Sequence, residues 1–204
     1  SGAHAGLGNS REAIELYSRL LEADPGYPRA DAVLYQLSRA WEAEGDVQKA
    51  LEHLDRMVAR YPGSRLIDEA RFRRGEILFS AQRWSPAEAA YSSVVARGAQ
   101  SGFHRQALYK VGWAQFKQSR TEDSVESFLD LLDLVLTDPR SPDDAVEPST
   151  LPRADRELVD DAFRAISLQF AALDGIATAG EMVARHGRMP YEWLVHDRLG
   201  DLLI

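Results

Sequence analysis

Apolar and polar positions follow a helical period along most of this chain. Segments near 28–44, 65–81 and 102–118 carry apolar residues at i, i+3, i+4 and i+7, as do segments near 46–60, 84–97 and 121–137. Each predicts an amphipathic helix. Short breaks divide them: EGD (44–46), QRWSP (82–86) and SRTED (119–123) within helix pairs, and DPGYP (24–28), YPGS (61–64) and RGAQSG (97–102) between pairs. Pro and Gly in these joints stop one helix, and Ser64 is placed to cap the next.

The pairs repeat. Setting REAIELYSRLLEADPG (11–26) on QKALEHLDRMVARYPG (48–63) gives an offset of 37 residues. Ala13 then falls on Ala50, Tyr17 on Leu54, Leu20 on Met57, Pro25 on Pro62 and Gly26 on Gly63. Further steps of 37 reach Ala87, Tyr91 and Val94, then Ser124, Phe128 and Leu131. The other helix of each pair keeps the same beat, with an aromatic column Tyr35, Phe72, Tyr109 and a small column Ser38, Gly75, Gly112. Glycine inside a helix costs up to about 1 kcal/mol relative to alanine. Its place in a repeat column predicts a helix crossing too close for a larger side chain.

These columns resemble the tetratricopeptide repeat (TPR) family over about residues 8–137. Gly75 and Gly112 match the family's small eighth position, Ala50 and Ala87 its small twentieth, Tyr17, Tyr91 and Phe128 its aromatic twenty-fourth, and Pro25 and Pro62 its thirty-second. The chain departs from the family in its 37-residue period, in place of 34. It also departs at the usually small twenty-seventh position, held by Leu20, Met57, Val94 and Leu131, and at Arg71, where an apolar fourth residue is usual. The resemblance implies an all-α, TPR-like solenoid of antiparallel helix pairs forming a right-handed superhelix. The longer joints, and the form ARFRRGEILFSAQRWSPAEAAYSSVV (70–95), look most like bacterial cell-envelope TPR proteins of the outer-membrane assembly and Tol–Pal-associated kinds. That closer likeness implies a periplasmic or envelope location.

Three regions are expected. Residues 1–137 hold about three and a half repeats. TDPRSPDDAVEPSTLPR (137–153), with four prolines, reads as a long loop, so 138–153 is assigned as a Pro-rich connection. Residues 154–204 continue in helices: 154–175, with Leu158, Val159, Ala162, Phe163, Ile166, Phe170 and Leu173 on its apolar face and Gly175 at its end, then 176–187, then 190–204 opening at Pro190. The chain starts on a second helix without its partner and ends in LGDLL (199–203), which looks like the middle of a first TPR helix. It therefore reads as a fragment of a longer TPR protein.

Charge and composition narrow the function. The net charge is −8, and the basic cluster Arg71, Arg73, Arg74 is interleaved with Asp68, Glu69 and Glu76. No basic stripe is present to displace counterions, so nucleic acid is not an expected partner. No apolar run approaches the roughly 20 residues of a membrane span. With no cysteine, disulfides and thiol catalysis are excluded. The five histidines, His4, His53, His104, His186 and His196, show no ligand spacing, and no GxxxxGK[ST], GxGxxG or GxSxG stretch occurs. GLGNS (6–10) reads as a turn between helices. No catalytic residue, metal or cofactor is expected, and the chain is not read as an enzyme.

One stretch does point to a working surface. In ALYKVGWAQF (107–116), Tyr109, Trp113 and Phe116 lie at i, i+4 and i+7. These are the fifth, ninth and twelfth repeat positions, which TPR geometry implies line a concave binding surface. The equivalent sets are Tyr35, Arg39, Glu42 and Phe72, Glu76, Phe79. The candidate partner-binding residues are Tyr35, Phe72, Phe79, Tyr109, Trp113 and Phe116, with Arg73, Lys110 and Lys117 available to an acidic segment. Alternatively, the helix at 154–173 folds back and makes Trp113 and Phe116 core. The function this implies is a non-catalytic scaffold that binds a protein or peptide segment in its groove. Two other readings stand beside it: a structural spacer or oligomerisation arm, and an accessory module of an enzyme elsewhere in the parent chain.

Overall fold

Helical periodicity, punctuated where proline, glycine and polar residues cluster, produces an all-α chain. The computed structural model describes residues 2–172, 176–187 and 189–203. The helices are α1 (Gly2–Ala23), α2 (Ala30–Ala43), α3 (Val47–Arg60), α4 (Ile67–Ser80), α5 (Trp84–Val95), α6 (His104–Lys117), α7 (Thr121–Leu136), α8 (Arg153–Ala172), α9 (Ile176–His186) and α10 (Glu192–Leu203). They fall into two compact units, Ser1–Val94 and Val95–Ile204. Among the described residues, no helix is long and apolar enough to cross a membrane.

The pairs α2–α3, α4–α5 and α6–α7 turn in the same way. Gly45, Gln82 and Ser119, spaced by the 37-residue period, all adopt the left-handed conformation, at φ 83°, 58° and 60°. The N–H of each bonds the carbonyl three residues back: Glu42 at 3.0 Å, Phe79 at 2.9 Å and Phe116 at 2.9 Å. The next N–H reaches five back, from Asp46 to Trp41, Arg83 to Leu78 and Arg120 to Gln115. This double bond pattern satisfies the last carbonyls of the first helix and reverses the chain. Asp46 then caps α3, its side chain accepting the Lys49 N–H at 3.0 Å. Ser64 acts one step earlier than expected. Its hydroxyl accepts the Leu66 N–H at 3.1 Å, and α4 begins only at Ile67, without a side-chain cap.

Close helix crossings are built at the small columns. A Cβ placed on Gly75 would overlap the Tyr91 ring, and one placed on Gly112 would stand 2.9 Å from Phe128 Cζ. Tyr91 and Phe128 are both fully buried. Ser124 adds a polar tie at the second of these crossings, its hydroxyl donating to the Gly112 carbonyl at 2.8 Å. In the second unit, Phe128, Leu129, Leu132 and Leu136 of α7 form one core with Val159, Phe163, Ile166 and Phe170 of α8 and Tyr191, Leu194 and Val195 near and on α10.

Two expectations change. The Pro-rich segment 138–153 is not without structure. Strand β1 (Thr137–Asp138) pairs antiparallel with β2 (Ser141–Ala145), and a 3-10 turn follows at Pro148–Thr150. Asp138 and Pro139 favour the reversal, because proline presets φ and the aspartate carboxylate accepts the Arg140 N–H at 2.8 Å. Residues 6–10 are not a turn but lie inside α1. Gly6 and Gly8 lower local helix propensity by about 1 kcal/mol each, which does not interrupt a helix that also packs along α2. The apolar face expected on α8 is buried at Val159, Ala162, Phe163, Ile166 and Phe170, while Leu173 and Gly175 lie outside the described residues.

Candidate functional site

In the first unit the face formed by the first helix of each pair is charged. Tyr35 on α2 is only 4% exposed and donates its hydroxyl to Glu69 Oε1 of α4 at 2.6 Å. Burial and that carboxylate push its pKa up to about 12. It is a buried tie between α2 and α4. Phe72 is half-buried against Tyr91, with ring centroids 5.5 Å apart, and Phe79 meets Trp84 edge-on at 4.8 Å. Arg73 reaches across from α4 to Glu42 of α2 at 2.5 Å. Beside that pair lies a groove of about 550 Å³, bordered by Tyr17, Gln36, Arg39, Glu42 and Arg73. Arg39 stands exposed on its wall.

The second unit presents rings in place of charges. Tyr109 and Trp113 stand 6.2 Å apart in T-shaped contact, Trp113 and Phe116 5.5 Å apart. Phe128 joins them from beneath at 5.9 Å from both Tyr109 and Trp113. Edge-to-face geometry at such distances adds to what area burial alone provides. Tyr109 and Trp113 pack against the core shared by α7 and α8, and burial raises the Tyr109 hydroxyl pKa. Phe116 lies at the edge of this cluster, half-buried, with Lys110 half-buried and Lys117 exposed on the same helix.

The comparisons with known proteins settle the family. The profile described as tetratricopeptide repeat matches residues 3–65 and 72–145. The chain belongs to the tetratricopeptide repeat family. No curated protein matches it. Among solved structures, the MamA RS-1 ArsTM double mutant is similar at 19% identity and a TM-score of 0.58, over 96% of this chain and 85% of that one. A kinesin-light-chain-like protein of Podosopora anserina with nearly identical TPR-like repeats is similar at 16% identity and a TM-score of 0.60, over 98% of this chain and 93% of that one. At these identities the likeness is one of fold. TPR modules are protein–protein interaction scaffolds, and no enzyme family is indicated.

The TPR columns therefore locate the candidate face but sort its members unevenly. Arg39 and Glu42, at the ninth and twelfth positions of the first full repeat, border the groove although neither stood among the candidates. Their positions were the available signal. Outside this face, the second unit gathers a cluster that no sequence spacing announced. His186, at the end of α9, sets Nδ1 2.8 Å from Glu126 Oε1 and Nε2 3.0 Å from Asp133 Oδ2, both on α7. Hydrogen bonding to Asp133 raises the imidazole pKa to about 9 against the opposing effect of burial, with Glu126 adding to the rise. Tyr191 donates its hydroxyl to the other Asp133 oxygen, and burial drives that phenol pKa upward.

Proposed function

We propose that this TPR chain captures a partner segment on the face formed by its first helices, without catalysis. The observation that carries the reading is the groove of the first unit, where Arg39, Glu42 and Arg73 converge at TPR positions that point to one face. Arg73 is already held by Glu42. Exposed Arg39 is therefore the group offered to an acidic residue of the partner. In the second unit, Phe116 and the edge of Trp113 offer apolar anchorage, with Lys117 beside them. Taken each by itself, the first unit's groove suits an acidic segment, and the second unit's surface suits one that carries aromatic or aliphatic side chains beside an acidic one. The likeness of residues 70–95 to bacterial envelope TPR proteins supports an envelope-associated setting for this binding.

The test is affinity capture followed by titration of the captured partner against Arg39→Glu and, separately, Trp113→Ala/Phe116→Ala. Each variant is first shown to melt with a cooperative transition. Loss of at least tenfold in affinity by either variant supports the face. Equal affinity for all three proteins removes it. The assembly-arm reading draws on a different observation: Leu168 of α8 and Trp193 of α10 are 59% and 56% exposed. Sedimentation of the wild type against Trp193→Ser measures that role directly, and a monomer in both cases rejects it.

A further inference from the structure

Glu126 and Asp130 lie one helical turn apart and share a face of α7, with Asp133 on the following turn. His186 comes to this face from α9 with a ring that is 5% exposed. One ligand atom from each of Glu126, Asp130 and His186 lies within 4.8 Å of the others. We infer that these three side chains form a binding site for a divalent transition-metal ion, with Zn²⁺ as the ion they suit.

The donor set is one imidazole nitrogen and two carboxylates, a combination zinc accepts with a fourth position left to water. Two ligands at about 2.1 Å from a tetrahedral zinc ion stand about 3.4 Å apart. Glu126 and Asp130 are exposed, so the approach from 4.8 Å to that spacing falls to their side chains. The imidazole is the fixed member. Its Nε2 faces Asp133, which Tyr191 holds in turn, so Nδ1 is left to Glu126, which it meets at 2.8 Å and between which and the ring an ion would take the place of the proton, with Asp130 alongside. A carboxylate behind a ligating histidine is the arrangement that orients the ring and raises its basicity toward a metal. The local charge agrees, with three carboxylates around one imidazole, while the neighbouring Arg185 is engaged with Glu122 at 3.2 Å. Asp130 and Asp133 also border a cavity of about 560 Å³, which leaves room for water on the ion's open side. An ion here would clasp α9 to α7 and tie the end of this unit to its core.

The experiment is calorimetric titration of the chain with Zn²⁺, with Mg²⁺ as comparison, alongside Glu126→Gln/Asp130→Asn and Asp133→Asn. Both ligand substitutions fall on exposed positions of α7, each variant is first shown to keep a cooperative melting transition, and His53, His104 and His196 are left intact. One Zn²⁺ per chain is expected, with a raised Tm, little response to Mg²⁺, and at least tenfold weaker binding in the double variant. Asp133→Asn should weaken binding by roughly 10–100-fold through loss of ring orientation. Absence of Zn²⁺ binding at micromolar concentration overturns the inference. So does binding that the double variant leaves undiminished, which would assign the ion to surface histidines.

Discussion

The crossing at Gly75 in the first unit and the crossing at Gly112 in the second obey one repeat rule with different chemistry. At the first, the ring filling the glycine gap is Tyr91, whose hydroxyl requires a buried partner and finds Glu76. At the second it is Phe128, which has no polar atom to satisfy and instead joins Tyr109 and Trp113 in a ring cluster. The difference follows from what else packs nearby. In the second unit α8 brings Val159, Phe163 and Ile166 against α7, so an entirely apolar ring is fully used. In the first unit the surrounding helix faces carry ion pairs, Arg73 with Glu42 and Arg74 with Asp55, and a phenol with a carboxylate partner suits that setting. A repeat thus prescribes the shape of a crossing and leaves its polarity to the neighbours.

The largest expected effect is at the apolar crossing. Phe128→Ala should destabilise the second unit by about 3–5 kcal/mol, because the removed ring leaves a cavity that the two facing rings, Tyr109 and Trp113, cannot fill. Tyr91→Phe tests the other half of the comparison. It keeps the ring and deletes only the hydroxyl, so about 1–3 kcal/mol is expected, the cost of a partly buried Glu76 losing its donor. Urea denaturation of each variant measures both, and equal losses would erase the distinction drawn between the crossings.

Filling the gaps comes next. Gly75→Val and Gly112→Val should each cost about 1–3 kcal/mol through overpacking. The first should cost more, because the added Cβ overlaps the Tyr91 ring more deeply than it does Phe128. Asp46→Ala should lose about 1 kcal/mol by removing the cap of α3, a loss that hydrogen exchange would localise to the first turn of that helix.

The smallest effect has the opposite sign. Gln82 and Ser119 hold left-handed conformations that their repeat partner Gly45 adopts without a Cβ. Gln82→Gly and Ser119→Gly should therefore stabilise the chain by up to about 1 kcal/mol, the relief of left-handed strain less the extra chain entropy of glycine. A fall in Tm for both would show that these side chains contribute more than their backbone geometry costs.

Much of the fold was legible because helical pairs are local. The paired helices of the repeats end within three residues of where periodicity and Pro/Gly breaks place them. The small eighth position and the aromatic twenty-fourth proved to be opposite sides of the same contacts, Gly75 with Tyr91 and Gly112 with Phe128. The candidate face was less legible. A repeat position states which way a side chain leaves its helix, and Tyr35, Phe72 and Phe116 occupy such positions alike. Whether each is covered depends on a residue 15 to 34 places away, Glu69 for Tyr35 and Phe128 for Tyr109 and Trp113. The hairpin at 137–145 was missed because prolines and small polar residues mark a break without stating whether its two sides pair.

By itself, then, the sequence determined the helix pairs, their 37-residue beat, the breaks at 44–46, 82–86 and 119–123, and membership of the TPR family. All of these rest on interactions between residues near in sequence, or on a period that copies them. Only the tertiary structure decided that Tyr35 is buried, that Arg39 and Glu42 border a groove, and that His186 meets Glu126 and Asp133 some 50 to 60 residues away. Those outcomes depend on which helix faces come together, and a chain records that only through the packing it adopts.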